Sequence, residues 1–310
     1  MYKGKSIAVV VPAFREQELI AETITGVPDY VDHIIVIDDC SPDATSERAA
    51  ATSHPNLTLI TLQENVGVGG AIIEGHKRAL ELACDISIVM AGDNQMDPDE
   101  IPKLLDPIID EGYEFTKGNR FFSIESMRGM PKHRVFGNIV LTFLNKAASG
   151  YWNLVDPQNG YTAISASALS RVPLDKIAKR YEFENDLLIW LNIAGVRAKD
   201  VNIPARYGLE TSTIKLLPFI TRTSWLLFTG FWRRIWLKYI LWSFSPIALL
   251  LIAGLIMMGI GSAFGIWATL QAFNGISPTA GTTMLSVVPF MIGFIMLIQS
   301  FVLDIMETPK

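Results

Sequence analysis

The chain is poor in cysteine and histidine, and towards its end it lacks charge altogether. Cys40 and Cys84 are the only cysteines among 310 residues, in no C-x-x-C pattern and with no histidine partner pattern. A disulfide framework and a zinc ribbon are thereby excluded, and the two are expected to be reduced structural thiols of a cytosolic domain. No G-x-x-x-x-G-K-[ST] occurs, so the chain is not a P-loop NTPase. No G-x-G-x-x-G follows the first apolar run, which argues against a dinucleotide oxidoreductase. A net charge of −5 gives no support for a nucleic-acid partner. The opening MYKGKSIAVVVPAF has neither a long apolar core nor a small-residue cleavage site, so no signal peptide is expected.

From Tyr239 to Leu303 there is no Asp, Glu, Lys, Arg or His. A bilayer span needs about 20 apolar residues. Ser243–Trp267 and Leu285–Leu303 both qualify, with the polar, uncharged stretch ATLQAFNGISPTAGTTM between them. Arg222, Arg233, Arg234 and Lys238 precede the first span, and the connecting stretch carries no positive charge. The positive-inside rule then puts the front of the chain and both termini in the cytoplasm, with the connection outside. An integral protein of the plasma or inner membrane is expected. Spans free of ionisable groups argue against a transporter. Ahead of them, Ile214–Trp242 interleaves Leu, Phe and four Trp with those basic residues at helical spacing. One or two interfacial amphipathic helices on anionic headgroups are expected there.

The front of the chain is patterned differently. Ile7–Val11, Ile34–Asp38, Leu57–Leu62 and Ile86–Met90 are short β-branched apolar runs, separated by helical patterns over Glu16–Thr25, Pro42–Ala51, Gly69–Ala83 and Asp99–Glu111. Alternation at this spacing predicts an α/β domain around a mostly parallel sheet. Three parts follow: a catalytic domain over 1–212, juxtamembrane helices over 213–242, and the two-helix membrane hairpin over 243–310.

In such sheets ligands sit at the carboxyl ends of the strands. Pro12-Ala13-Phe14-Arg15-Glu16, Asp38-Asp39-Cys40-Ser41-Pro42-Asp43, Glu64-Asn65-Val66-Gly67-Val68-Gly69-Gly70 and Ala91-Gly92-Asp93-Asn94-Gln95-Met96-Asp97-Pro98 fall at those ends. Carboxylates there suit hydrogen bonds to a base and ribose, or a divalent cation on two phosphates. A Gly-rich turn at a helix start lets backbone N–H groups face an anion. Each signal also has a plain structural reading. The glycines could be a packing turn, and Ser41 or Asp43 could cap a helix. Four such turns in register favour a site.

At these residues the chain resembles the family 2 glycosyltransferases of GT-A fold, more narrowly the polyprenyl-phosphate glycosyltransferases. The matching pieces run in order over essentially the whole chain: VVPAFRE, VIDDCSPDAT, ENVGVGGAIIEGHKRAL, AGDNQMDPDEI, KGNRF, GMPKHRVFGN, DPQNGYTAIS and YEFENDLL. The resemblance implies that Pro12, Phe14, Glu16, Asp38 and Asp39 hold the base and ribose of a nucleotide-sugar. Gly67, Gly69 and Gly70 would lie along the nucleotide, with Ala91, Gly92, Asp93, Asn94 and Gln158 lining the donor site. Asp93 and Gln95 would bind Mg²⁺ or Mn²⁺ on the diphosphate. The family often has an Asp two residues before Asp93, where this chain has Ala91. Arg120, Arg134 and Asn138, with Arg206 or Lys215, would grip the acceptor phosphate, to which guanidinium forks are matched. Asp156 is the candidate catalytic carboxylate beside Asp93, either as a base or as an orienting group. Glu184 and Asp186 would back the site, or else cap a helix over Asp186–Ala194.

The expected activity is inverting transfer of one sugar from a nucleotide-sugar to an undecaprenyl, decaprenyl or dolichyl phosphate in the bilayer. A UDP-hexose such as UDP-glucose is the favoured donor, with GDP-mannose as the other. A homo-oligomer, a tetramer by the resemblance, is a further expectation. Two rivals stand beside this reading. A processive polysaccharide synthase would need more spans and a Q-x-x-R-W-type motif. An inactive membrane scaffold of the same fold is favoured only by Ala91.

Overall fold

Ile7–Ala13 (β1) is a fully buried strand, and the rest of the fold is arranged around it. The computed structural model describes residues 1–52, 54–120, 132–204 and 216–309; for 132–136, 138 and 216–219 the backbone alone is described. Six further strands follow: His33–Asp38 (β2), Leu57–Thr61 (β3), Ile86–Val89 (β4), Phe115–Asn119 (β5), Thr162–Ser165 (β6) and Ala198–Asn202 (β7). They form one sheet in the order β3-β2-β1-β4-β6-β5-β7. β1 pairs in parallel with β2 and β4, and β2 with β3. β6 runs antiparallel to both neighbours, while β5 and β7 are parallel. The carboxyl ends of all strands except β6 therefore lie along one edge of the sheet, and the chain enters β6 from that same edge.

The helices are Ile20–Thr25 (α1), Thr45–Ala51 (α2), Val68–Glu81 (α3), Ile101–Asp110 (α4), Lys132–Ser149 (α5), Ala166–Arg171 (α6), Phe183–Ile193 (α7), Leu216–Arg234 (α8), Pro246–Phe273 (α9) and Ala280–Met306 (α10). The α/β expectation holds and the four foreseen strands are present. The foreseen helices begin late where the chain first makes a turn. Leu19 and Ile20 N–H groups bond back to the Glu16 carbonyl, so α1 starts at Ile20. Pro98–Glu100 forms a 3₁₀ turn before α4, with Asp97 capping the Asp99 N–H at 3.1 Å. The helix expected over Asp186–Ala194 begins at Phe183. The core is the Val, Ile and Ala of β1 and β2 with Ile86, Ile88, Leu104, Leu105 and Ala163.

Contacts divide the chain into two compact units, Met1–Phe231 and Trp232–Thr308. In the second, α9 and α10 are long and apolar enough to cross a membrane. The stretch between them is shorter than expected, because both helices extend beyond the apolar runs read from the sequence. Thr279 caps α10 through the Thr282 N–H. The two helices pack antiparallel through small residues. A Cβ on Gly293 would lie 2.6 Å from the Gly254 carbonyl oxygen, and one on Gly261 would lie 2.6 Å from the Ser286 carbonyl oxygen. Close backbone approach of this kind is how helices associate where water gives no drive.

Two expectations about this region are corrected. α10 runs through Asp304, so it does contain an ionisable group near its end. Arg234, assigned to the headgroups, is fully buried. Its Nη1 and Nη2 donate to the two Asp304 carboxylate oxygens at 2.6 and 3.0 Å, and the Tyr239 hydroxyl donates to Asp304 at 2.6 Å. Burial requires a partner for a guanidinium, and Asp304 supplies it from 70 residues away. The residues that follow Arg234, Ile235–Trp242, widen into a π-helix.

Candidate active site

The sheet edge where the carboxyl ends converge carries the residues singled out in the sequence. β1 ends at Ala13, and the Pro12 carbonyl accepts the Gly92 N–H at 3.2 Å, joining the β1 and β4 turns. Phe14 is exposed, with the Arg15 guanidinium 5.3 Å from its ring centroid. Arg15 has φ +64°, and its N–H donates to the Ser41 hydroxyl at 3.1 Å. The Glu16 N–H donates to the Thr45 hydroxyl at 2.9 Å. The first two turns are thus held together by backbone donors.

Asp38 and Asp39 are both buried. Asp38 accepts the Ser41 N–H at 3.1 Å, a side-chain-to-backbone bond that starts the loop after β2. Asp39 accepts Val66 N–H at 2.7 Å and Gly67 N–H at 2.9 Å, one on each oxygen. Burial pushes the Asp39 carboxyl above its usual value, opposed by these two donors. Its first task is to fix the loop after β3 against the loop after β2.

The glycine turn is also a structural joint. The Gly67 N–H goes to the Asp39 carboxylate and the Gly70 N–H to the Lys179 carbonyl at 2.9 Å, so both are taken up within the protein. The glycines are needed for packing. Gly67 has φ +91°, and a Cβ there would sit 2.7 Å from the Lys179 carbonyl oxygen. A Cβ on Gly69 would lie 2.5 Å from the Phe183 Cβ. The turn clamps α3 against the segment that opens α7.

After β4 come Ala91, Gly92, Asp93, Asn94 and Gln95. Asp93 accepts the Gln95 N–H at 3.0 Å, and Asn94 adopts φ +57° to close that turn. Burial pushes the Asp93 carboxyl up, opposed by the Gln95 N–H. Among the described residues no group of three or more His, Cys, Asp or Glu is gathered for a metal. One carboxylate and one carboxamide are a sparse ligand set. It suits a cation such as Mg²⁺, which takes its other ligands from phosphates and water.

β5 ends at Asn119, so Arg120 emerges at the same edge. Asp156 lies in the loop that enters β6. Its two oxygens accept Arg120 Nε at 2.8 Å and Nη2 at 3.1 Å, with the Arg120 N–H at 3.3 Å. Asp156 is 0% exposed and Arg120 39%. The carboxylate assigned to catalysis and the arginine assigned to the acceptor are therefore one bidentate pair.

The loop around Asp156 is braced by Lys117, Asn159, Tyr161 and Asp200, which the sequence reading did not single out, beside Gln158, Glu184 and Asp186, which it did. Lys117, buried, donates to the Asn159 carbonyl. Burial lowers its ammonium pKa, opposed by Glu184, Asp156 and Asp200. Asn159 Nδ2 donates to the Gly118 carbonyl at 2.8 Å, and the Tyr161 hydroxyl to the Asp97 carbonyl at 2.8 Å. Asp200 on β7 accepts the Val155 N–H at 2.6 Å. Burial pushes the Asp200 carboxyl up to about 6, opposed by that donor and by Lys117. Gln158 donates to Asn185 on α7 at 3.3 Å. Glu184 is raised by burial, opposed first by Lys117, and Asp186 accepts the Ala178 N–H at 2.9 Å. Lys117 and Asn159 lie inside the quoted motifs KGNRF and DPQNGY, which was the available signal. Asp200 had none, lying in a short strand, Ala198–Asn202, that also carries Lys199 and Asn202.

Arg134 and Asn138 lie on α5, where only the backbone is described. Arg206 and Lys215 lie outside the described residues.

Comparison with known proteins places this geometry. Residues 8–173 match the Glycosyl transferase family 2. The UDP-N-acetylglucosamine–dolichyl-phosphate N-acetylglucosaminyltransferase of Methanococcus voltae is 32% identical over 235 residues, covering 69% of this chain and 92% of that protein. The undecaprenyl-phosphate mannosyltransferase of Micrococcus luteus is 28% identical over 202 residues, covering 64% of this chain and 82% of that protein. Glucosyl-3-phosphoglycerate synthase from Mycobacterium tuberculosis, crystallised with Mn²⁺, UDP-glucose and phosphoglyceric acid, superposes with a TM-score of 0.55. It covers 74% of this chain and 80% of that one at 23% identity, a likeness of fold. The strand order, the shared sheet edge and the matched residues all place this chain in glycosyl transferase family 2, on a GT-A fold.

Proposed function

We propose that the chain transfers one sugar from a nucleotide-sugar to a polyprenyl phosphate at the surface of a membrane. The observation that carries this reading is the Arg120–Asp156 pair, set at the same sheet edge as Asp39 and Asp93. An anchored guanidinium beside a nucleotide-type strand edge suits a phosphate acceptor and a diphosphate leaving group together. The two relatives described above are named for transfer to dolichyl and undecaprenyl phosphates. A uridine donor carrying a hexose or N-acetylhexosamine is favoured, with GDP-mannose as the other.

The base and ribose are assigned to the Pro12–Glu16 and Asp38–Asp39 turns, with Gly67, Gly69 and Gly70 shaping the wall. Asp93 and Gln95 would hold Mg²⁺ or Mn²⁺, which when bound offsets charge on the diphosphate. Arg120 grips the acceptor phosphate, joined by Arg134, Asn138, Arg206 and Lys215. Both Asp156 oxygens are engaged by Arg120, which favours the orienting role over that of a base. A phosphate monoester is largely ionised at neutral pH and needs no proton removed. A phosphate oxygen bonds to the anomeric carbon as the bond to the nucleoside diphosphate breaks, inverting the centre. The catalytic domain (1–212) and both termini are placed in the cytoplasm, on the basis of Arg222, Arg233 and Lys238, since Arg234 is held inside.

The test is to incubate the purified full chain with a C55 polyprenyl phosphate, Mn²⁺ and separate nucleotide-sugars, and to detect lipid-linked monosaccharide by mass spectrometry. One hexosyl- or hexosaminyl-phospholipid, absent with Asp93→Ala, establishes the reaction and the donor. Nucleotide binding without any product supports the inactive scaffold, for which Ala91 is the supporting residue.

A further inference from the structure

The segment that leads into α7 is fixed through its backbone around one arginine. The Ala178 N–H donates to Asp186 at 2.9 Å, and the Lys179 carbonyl accepts the Gly70 N–H at 2.9 Å. The Arg180 carbonyl accepts the Phe183 N–H at 3.0 Å. Arg180 is nevertheless exposed, and its guanidinium makes no hydrogen bond or ion pair among the described residues. Arg48, Arg78, Arg120 and Arg171 differ in this respect, each pairing with a carboxylate. A charged head group on an anchored backbone is ready to take up a ligand at little cost in ordering.

The Arg180 side chain crosses the glycine turn. A Cβ on Gly67 would lie 2.9 Å from Arg180 Cγ and 3.3 Å from its Cα, so the bare glycine lets the arginine pass at contact distance. The Gly67 N–H is held by Asp39 on the other side. Beyond burial and its two backbone donors, the Asp39 carboxyl feels Asp38 and Arg180, in opposite senses. Arg180 therefore stands at the strand edge beside Asp39. It does not close on that acid because Val66 and Gly67 N–H groups already occupy the two Asp39 oxygens. Charge supplies the need for it. Glu16, Asp38, Asp39 and Asp93 set four carboxylates in the turns of this edge, to which a nucleotide-sugar would bring a diphosphate. A guanidinium fork is matched to phosphate oxygens.

We infer that Arg180 is a donor-binding residue, which holds the phosphates of the nucleotide from the side of the glycine turn. The assignment rests on the nucleotide-sugar donor proposed above and adds to it a residue from the connection between α6 and α7, outside the four strand-end turns. Arg180 stands one position before the motif YEFENDLL, so no sequence signal marked it. Gly67 then serves two neighbours at once, the Lys179 carbonyl that clamps the turn and the arginine that passes over it.

The test uses the purified full chain in detergent with Mn²⁺, titrated calorimetrically with UDP and separately with GDP. Uridine and guanosine are measured by displacement, and thermal unfolding is recorded without nucleotide. Arg180→Gln is expected to weaken binding of the diphosphate that the native chain takes by roughly 10- to 100-fold, the worth of one hydrogen-bonded charge. Affinity for the matching nucleoside and the unfolding temperature without nucleotide should stay where they are, and Arg180→Glu should bind the diphosphate more weakly still. Equal binding of the diphosphate by the native chain and Arg180→Gln overturns the assignment. So does an equal loss for diphosphate and nucleoside, which makes the base or Asp39 the partner of Arg180. A lower unfolding temperature without nucleotide also overturns it, by making the arginine a structural part of the turn. If the native chain takes up neither UDP nor GDP, the donor reading fails and the assignment falls with it, an outcome that the native protein alone reveals.

Discussion

Asp156 and Arg120, 36 residues apart, meet in a bidentate pair at 2.8 and 3.1 Å, with the carboxylate fully buried and the guanidinium reaching the surface. The pairing suits Asp156 to act through Arg120. Asp156→Asn keeps the volume and one acceptor oxygen but removes the charge that aims Arg120. Misplacing such a group by about 1 Å costs roughly 10²-fold in rate, so a loss of that order is expected, largely as a raised KM for the polyprenyl phosphate. Steady-state kinetics with acceptor varied would show it. If Asp156 were the base, kcat would fall instead at unchanged KM, and the acid limb of its pH profile would vanish.

The cation assignment to Asp93 and Gln95 gives a second expectation. EDTA should abolish sugar transfer, and Mn²⁺ or Mg²⁺ should restore it. Ala91→Asp adds a carboxylate two residues from Asp93 and should lower the Mn²⁺ concentration that gives half-maximal activity. Titration of both proteins with Mn²⁺ checks this; an unchanged midpoint would remove position 91 from the cation site.

Gly67 separates packing from binding. Its φ of +91° and the 2.7 Å approach of a Cβ to the Lys179 carbonyl oxygen both oppose a side chain. Gly67→Ala should cost about 1–3 kcal/mol of stability from overpacking and strain. Chemical or thermal unfolding of the variant measures it. A fully stable variant with weakened nucleotide binding would show instead that the turn acts through its ligand.

His76 is buried and shares a 2.9 Å hydrogen bond with the Ser87 hydroxyl. Burial lowers its pKa from 6.5 to about 4. A histidine whose folded value lies below its unfolded value is neutral in the fold and takes up a proton on unfolding. Its contribution is therefore present above pH 6.5 and is lost as pH falls towards 4, at up to about 1.4 kcal/mol per pH unit. Asp39, Asp93 and Asp200, whose carboxyls are raised, act in the opposite sense. The difference between the native chain and His76→Gln isolates the histidine. Parallel stability curves between pH 4 and pH 6.5 would refute the assignment.

Arg234 and Asp304 form a buried pair within the hairpin unit. Removing one partner leaves the other charge unpaired, which costs about 3–5 kcal/mol. Asp304→Ala should lower the unfolding temperature in detergent markedly, and the double change Arg234→Met with Asp304→Leu should recover most of that loss. A double variant as unstable as the single one would count against a charge effect.

Much of this architecture could be read from local pattern. Runs such as Ile34–Ile37 alternate with helical periods over distances the chain itself covers, and the uncharged stretch before Asp304 marks two helices long and apolar enough to cross a membrane. β5, β6 and β7 were not legible, because Phe115–Asn119 and Ala198–Asn202 mix Lys, Asp and Asn into their strands. Those polar residues are tolerated there because they brace the Asp156 loop, as Lys117 and Asp200 do.

The sequence by itself therefore determined the α/β class, the strand-end turns, the family and the apolar hairpin, since each rests on neighbouring residues or on their order. Only the tertiary structure decided that Asp156 belongs to Arg120, that Arg234 belongs to Asp304, that the Gly67 and Gly70 amides are taken up within the protein and that α5 turns its apolar side outward. Each of these depends on which distant group reaches a buried charge or an amide first, and desolvation makes that choice only once the chain has folded.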